Sequence, residues 1–115
     1  MQLNQYPSAI ASLQQQILDV DISLQGLTNA MHLIKTEIEQ IVAFDPLLRN
    51  DTQRSCKREE LLSQHDEYLE LEQQSQTMQR HLKMLVIELD LLRNSFSVAK
   101  LEKRQAIASL EAQAA

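Results

Sequence analysis

Residues 3–41 read LNQYPSAIASLQQQILDVDISLQGLTNAMHLIKTEIEQI, and large apolar side chains recur through them at alternating intervals of three and four residues. Such a stripe stays on one side of a slightly underwound helix, where a second helix must cover it. The segment therefore predicts a long helix that takes part in a coiled coil. This first seam consists of Leu3, Tyr6, Ile10, Leu13, Ile17, Val20, Leu24, Leu27, Met31, Ile34, Ile38 and Ile41.

A second seam with the same spacing follows later in the chain, and a single serine interrupts it. Two seams of similar length predict two helices that cover each other. An antiparallel alignment pairs Ile10 with Ala99 and Ile41 with Tyr68 or Leu71. The second seam consists of Tyr68, Leu71, Ser75, Met78, Leu82, Leu85, Leu89, Leu92, Phe96 and Ala99.

Two breaks set the predicted helix boundaries. The Asp-Pro pair at residues 45–46 ends the first helix, because Pro has no amide hydrogen and restricts the residue before it. Asn50 or Asp51 can cap a short second helix, with Gln53 completing a capping box, and Asp66 can cap the third helix. We expect one all-α domain with helices over about residues 8–44, 51–64 and 67–112. They form a long antiparallel helical hairpin, a coiled coil with the short helix at its turn.

The composition favours an interaction protein over an enzyme. Aromatic residues make up 3% of the 115-residue chain, and two helices side by side enclose no deep apolar pocket for a small-molecule substrate. Without such a pocket, nothing raises the pKa of a carboxyl group toward the range that acid–base catalysis needs. The three histidines lack metal-ligand spacing. We therefore expect no catalytic residue, no cofactor and no bound metal.

The same sequence predicts a cytoplasmic protein. Its single cysteine, Cys56, cannot form an internal disulfide, and the N-terminal residues lack the pattern of a signal peptide. No uncharged apolar run approaches the roughly 20 residues that cross a bilayer. A membrane partner is therefore not expected.

A further apolar stripe, here called the outer stripe, lies on the second long helix away from its seam. A helix that is apolar on opposite sides is usually buried on both, and one partner helix cannot cover both. We therefore expect the hairpin to assemble into an oligomeric helical bundle, a homodimer or larger, or to receive a helix of another protein. Asn94 either fixes the register of this packing or lies at a solvated edge. The outer stripe consists of Met84, Ile87, Leu91, Asn94, Val98 and Leu101, and the first helix carries a weaker counterpart at Ala11, Leu18, Ile22, Gly26 and Leu33.

Basic residues cluster at the predicted turn. They can contact a few phosphates or an acidic protein surface, and phosphate binding of this kind weakens as salt rises. In the alternative interpretation Lys57 pairs with Glu59 or Glu60, and the cluster only solvates the turn. The candidate contact set, here called the basic turn, consists of Arg49, Asn50, Gln53, Arg54, Lys57 and Arg58.

A series of short motifs extends from Phe44 to Arg104. They read FDPLLRNDTQR at residues 44–54, KREELL at 57–62, EY at 67–68 and ELDLLRNSFSVAKLEKR at 88–104. In these motifs the chain resembles small helical proteins of bacteriophages and mobile elements, which have no firmly assigned activity and accompany genes of DNA metabolism. The resemblance implies an accessory role near nucleic acid, carried here by Arg49, Asn50, Gln53, Arg54 and Arg58.

Three functions are compatible with these patterns. We expect a non-enzymatic coiled-coil interaction or scaffolding protein that self-associates through the outer stripe. One alternative is an accessory nucleic-acid-binding protein that uses the basic turn. The other is an adaptor or inhibitor whose outer stripe binds the helix of a different protein.

Overall fold

The computed structural model describes residues 1–114, and every regular element within them is helical. A 3-10 helix at Leu3–Gln5 leads into helix α1 at Tyr6–Ala43, which is followed by α2 at Asp51–Ser63 and α3 at Asp66–Ala114. The fold is the predicted all-α helical hairpin, in which α1 and α3 are antiparallel and the short helix α2 lies at the turn. Helix α1 begins earlier than predicted because the 3-10 turn continues directly into it. Pro7 is tolerated in the first turn, where its missing amide hydrogen is not needed.

The chain divides into two compact units, each built from segments of both long helices. The terminal unit contains residues 1–20 and the segment from His81 onward, and the turn unit contains Asp21–Arg80. Each unit has its own apolar cluster. The two units are therefore described separately.

In the terminal unit, one aromatic contact fixes the alignment of the two helical segments. The rings of Tyr6 and Phe96 stack with their centroids 5.2 Å apart and their planes 13° from parallel. In an antiparallel pair this contact places Ile10 opposite Leu92, and both side chains pack against the buried cluster of the unit. The predicted pairing of Ile10 with Ala99 is therefore wrong by one heptad, about 10 Å along the helix. The buried cluster consists of Leu13, Leu85 and Leu89, with Ile10, Ile17, Val20 and Leu92 packed around it.

The turn unit has a wider core because α2 adds a third helical surface. Val42 is 1% exposed, whereas Ile41, the predicted last residue of the first seam, is 55% exposed. From Ile34 to Val42 the buried side chains recur every four residues, and each such step turns the buried side by about 40° around the helix, toward the side covered by α2. The prediction that Ile41 is covered as the last residue of the first seam is therefore wrong. The core consists of Ile34, Ile38, Val42 and Tyr68, with Met31, Leu48, Leu61, Leu62 and Leu71 packed against it.

Side-chain caps define the turn and the start of α2. The Asn50 Oδ1 atom accepts a hydrogen bond from the Gln53 backbone N–H at 2.8 Å. The Gln53 Oε1 atom accepts from the Arg49 backbone N–H at 2.7 Å, one residue earlier than in the predicted capping box. Just before this, the Leu47 N–H donates to Asp45 Oδ1 at 2.9 Å and stabilises the Asp-Pro turn.

Helix α3 is capped by His65 and not by the predicted Asp66. The Tyr68 backbone N–H donates to His65 Nδ1 at 3.1 Å. Asp66 is already the first helical residue, so its backbone is inside the helix and the capping position belongs to the residue before it. The carboxylates of Asp66 and Glu67 instead lie in the first turn, near the positive end of the helix dipole.

Candidate interaction surface

The outer stripe belongs to the terminal unit and is exposed along its whole length. Its five large apolar side chains are between 53% and 69% exposed. Asn94, in the middle of the stripe, is exposed as well. No other part of residues 1–114 therefore covers the outer stripe.

Helical geometry explains why the hairpin cannot cover the outer stripe. At 100° per residue, the centre of the stripe lies about 160° around α3 from the centre of the second seam. In the terminal unit the seam side of α3 packs against α1 through Leu85, Leu89 and Leu92. A helix packed on one side leaves the opposite side to solvent or to another molecule.

The weaker counterpart on α1 is exposed too. Ile22 and Leu33 are more than half exposed, and Leu18 is half exposed. A Cβ atom added at Gly26 would meet no atom within 4 Å, so no other backbone in residues 1–114 approaches this glycine closely. An open groove of about 710 Å³ beside Gly26 in the turn unit is lined mainly by neutral residues, with Glu70 as its single ionisable residue.

Arg58 of the basic turn forms a two-point ion pair with Glu39 of α1. Arg58 Nε lies 2.6 Å from Glu39 Oε2, and Arg58 Nη2 lies 2.7 Å from Glu39 Oε1. Hydrogen bonding to the Arg58 guanidinium lowers the pKa of the Glu39 carboxyl, desolvation opposes this to a smaller extent, and Coulomb attraction to Arg58 makes the smallest contribution and also lowers the pKa. The same hydrogen bonds raise the pKa of Arg58. Arg58 therefore connects α2 to α1 within the turn unit.

Two more cations of the basic turn also have acidic neighbours. Arg54 Nη1 lies 2.7 Å from Asp51 Oδ1, and Lys57 Nζ lies 3.8 Å from Glu60 Oε2. Within residues 1–114, Arg49 is the one cation of this set without an ion pair. The side chains of Asn50 and Gln53 are already used as caps. The structure thus places the predicted contact residues just before α2 and along its first two turns, and three of their four cations are paired with acidic groups inside the chain.

Two exposed apolar side chains at the turn were missed in the sequence analysis. Phe44 is 85% exposed and Leu47 is 80% exposed. The next position of the first seam after Ile41 is Asp45 and not Phe44, and α1 ends at Ala43. The available signal was a pair of large apolar residues around Pro46 that belongs to neither seam nor stripe.

A metal-ligand cluster and a membrane-spanning helix are both absent from residues 1–114. Nowhere in residues 1–114 do three His, Cys, Asp or Glu side chains gather in a way that could hold a metal ion. Over the same range, no helix combines the length and apolar character needed to cross a membrane. Cys56 is an exposed free thiol on α2.

Comparisons of the chain with protein-family models, with curated proteins and with solved structures give no match. The resemblance to proteins of bacteriophages and mobile elements therefore stays a prediction. Function has to be argued from the surface itself.

Proposed function

We propose that this chain is a non-enzymatic helical-hairpin protein that self-associates through the outer stripe and so holds or bridges partners. The observation that carries the proposal is the exposure of Met84, Ile87, Leu91, Val98 and Leu101 in one continuous row on α3. Contiguous exposed apolar rows on soluble helices mark interaction sites more often than isolated apolar residues do.

The apolar side chains of the stripe would contribute favourably to association once they are buried. Complete burial of a large apolar side chain contributes about 1.5 to 3 kcal/mol, and these side chains retain somewhat more than half of that gain because they are 53% to 69% exposed. Two copies facing each other would bury ten such side chains, which gives roughly 9 to 18 kcal/mol. This gain is comparable with the estimated 4 to 15 kcal/mol that association costs.

The test is the mass of the chain in solution. Sedimentation equilibrium under reducing conditions, at micromolar concentration, is expected to give a multiple of 13.2 kDa for the natural chain. Ile87→Lys places a charge in the stripe and is expected to shift the protein to the monomer. Val86→Lys is the matched control, because Val86 is a neighbouring apolar residue on α3 that is 41% exposed and lies outside the stripe. A monomeric natural chain would overturn the proposal.

A monomeric chain that forms a one-to-one complex with a helical protein from its native cell would instead support the adaptor or inhibitor function. The same stripe would then receive a foreign helix. No charged or polar feature of the stripe requires a foreign partner, so self-association is the function proposed here.

The nucleic-acid alternative has a separate test at the basic turn. It predicts DNA or RNA binding that weakens as salt rises and that is lost in the double variant Arg49→Glu, Arg54→Glu. Arg58 is unsuitable for this test because its replacement also breaks the contact with Glu39. The ion pairs within the basic turn give this alternative less support than the outer stripe gives to self-association.

A further inference from the structure

Asn94 is the polar residue within the outer stripe, and it restricts how a second copy can pack there. Its side chain is exposed, and it makes no hydrogen bond to another side chain or to the backbone within residues 1–114. If the stripe is buried by self-association, as the proposed function requires, the amide of Asn94 is buried with it. A buried amide without a hydrogen-bonding partner is destabilising.

Among the arrangements of two α3 helices that cover the whole stripe, the parallel, in-register one gives this amide a polar partner at the same height along the helix. There, every residue of the stripe faces its counterpart, so Asn94 faces Asn94 of the second copy. A side-chain amide can both donate and accept, so two facing amides satisfy each other. In the antiparallel arrangement that covers the whole stripe, Asn94 faces Leu91 of the second copy and has no polar partner.

The charges beside the stripe favour the same arrangement. Lys83 and Glu88 lie on opposite flanks of the stripe, both exposed and without an ion pair inside residues 1–114. In a parallel pair each flanking residue approaches the residue five positions later on the other helix. Lys83 therefore meets Glu88 of the second copy, and the symmetry makes this contact twice. The antiparallel arrangement instead brings Lys83 beside Arg104 of the second copy.

An antiparallel arrangement displaced by one heptad toward the C-terminal end of α3 is a further competitor. It relieves the contact between Lys83 and Arg104, but it places Ile87 against Gln105 of the second copy and brings Glu88 beside Glu102. Asn94 then faces Val98 and again lacks a polar partner. Both antiparallel arrangements leave the amide unsatisfied.

We propose that the outer stripe takes the α3 helix of a second copy in parallel and in register, with the two Asn94 side chains hydrogen-bonded to each other. This inference rests on the proposed function and adds the direction of packing to it.

Disulfide trapping in a Cys56→Ser background tests the direction of packing. Met84→Cys and Leu101→Cys are each expected to form disulfide-linked homodimers on mild oxidation, because each introduced thiol faces its own counterpart. A mixture of the two variants, after exchange of chains, is expected to give no mixed disulfide, meaning one that joins a Met84→Cys chain to a Leu101→Cys chain. The two positions are about 25 Å apart along the helix. Arg93→Cys is the control, since its exposed position is about 130° from the centre of the stripe.

The outcomes separate the two proposals. A mixed disulfide without homodimer disulfides, in a sample whose mass is dimeric, would overturn the parallel arrangement and leave self-association intact. A monomeric mass with no disulfide above the Arg93→Cys control would overturn the proposed function. Homodimer disulfides in a dimeric sample would support both.

Asn94→Leu tests the role of the amide itself. It removes the buried polar group and with it one of the two features that favour parallel over antiparallel packing, so association is expected to tighten at least tenfold and some mixed disulfide is expected to appear. Asn94→Gln, which keeps an amide, is the conservative control and is expected to retain the homodimer pattern. An unchanged disulfide pattern in Asn94→Leu would show that Asn94 does not set the direction.

Discussion

At the scale of single residues, His65 performs a task that its side chain seldom performs. Its Nδ1 atom accepts the hydrogen bond of the Tyr68 N–H, so the imidazole presents a lone pair to the start of α3 at that nitrogen. Tyr68 itself is buried in the core of the turn unit. The cap therefore holds the first turn of α3 in the position from which Tyr68 reaches the core.

Replacement of this cap is expected to lower stability measurably. His65→Ala should reduce the free energy of unfolding by about 1 kcal/mol, the usual effect of removing a side-chain cap. His65→Asn should restore most of the loss because an amide oxygen can accept the same hydrogen bond. Urea denaturation at fixed protein concentration measures the difference, with His81→Ala at an exposed position of α3 as the control. Equal effects at the two positions would contradict the role of the cap.

The ion pair between Glu39 and Arg58 gives a prediction about pH. The pKa of Glu39 lies below its ordinary value of 4.5 in the folded chain, so the pair stabilises the fold above the unfolded-state pKa. That contribution is lost as pH falls through the lowered pKa of the folded state. Glu39→Gln should therefore lower the melting temperature at neutral pH, and the difference from the natural chain should disappear in acid.

Thermal unfolding followed by circular dichroism across this pH range measures the effect. Glu37→Gln is the control, because Glu37 is exposed on the same helix and forms no ion pair with residues 1–114. A difference between Glu39→Gln and the natural chain that stays constant from neutral pH to acid would rule out the assigned cause.

At the scale of the elements, the end of α1 shows how α2 redirects the core. Val42 is almost completely buried while the adjacent Ile41 is mostly exposed. Leu61 and Leu62 of α2 pack against the cluster that contains Val42. The short helix at the turn is thus part of the core of the turn unit and not only a connection.

Truncation of Val42 should lower the free energy of unfolding much more than truncation of the adjacent Ile41. Val42→Ala should lower the free energy of unfolding by about 2 kcal/mol, since it removes two buried carbon groups and leaves a cavity. Ile41→Ala removes more carbon but from an exposed site, and it should change stability by less than about 0.5 kcal/mol. Chemical denaturation of the two variants in parallel measures both losses. A larger loss for Ile41→Ala would indicate that Ile41, and not Val42, is the buried residue at the end of α1.

The sequence predicts the elements of this fold better than their alignment. Every member of the second seam is buried or half-buried, Ser75 included. This could be predicted because the spacing of residues along one helix determines which of them share a face. The alignment was displaced by one heptad, because a seven-residue repeat matches itself equally well after such a shift. What fixes it are contacts between distant residues, such as Tyr6 with Phe96.

The candidate interaction surface also has one feature that the sequence predicts and one that it does not. The exposure of Met84 and Leu91 followed from spacing alone, since opposite sides of one helix cannot share one partner. The pairing of Arg58 with Glu39 did not, because nineteen residues separate them and only the packing of α2 on α1 brings them together. An ion pair between two helices depends on how they pack, so the spacing of residues along the sequence does not reveal it.

At the scale of the whole molecule, self-association should appear as a stability that depends on concentration. A complex that dissociates on unfolding is stabilised by mass action, so its melting temperature rises with protein concentration. The natural chain should show this rise over a hundredfold range of concentration, and Ile87→Lys should not. Differential scanning calorimetry measures it, and a flat profile for the natural chain would argue against a folded oligomer.

The lone thiol on α2 has a practical consequence for anyone who handles this protein. Cys56 is exposed and unpaired, so two chains in aerated buffer can become covalently joined through it. Such a species would imitate a noncovalent dimer in a sizing column. A reductant, or serine at this position, separates the chemical artefact from true assembly.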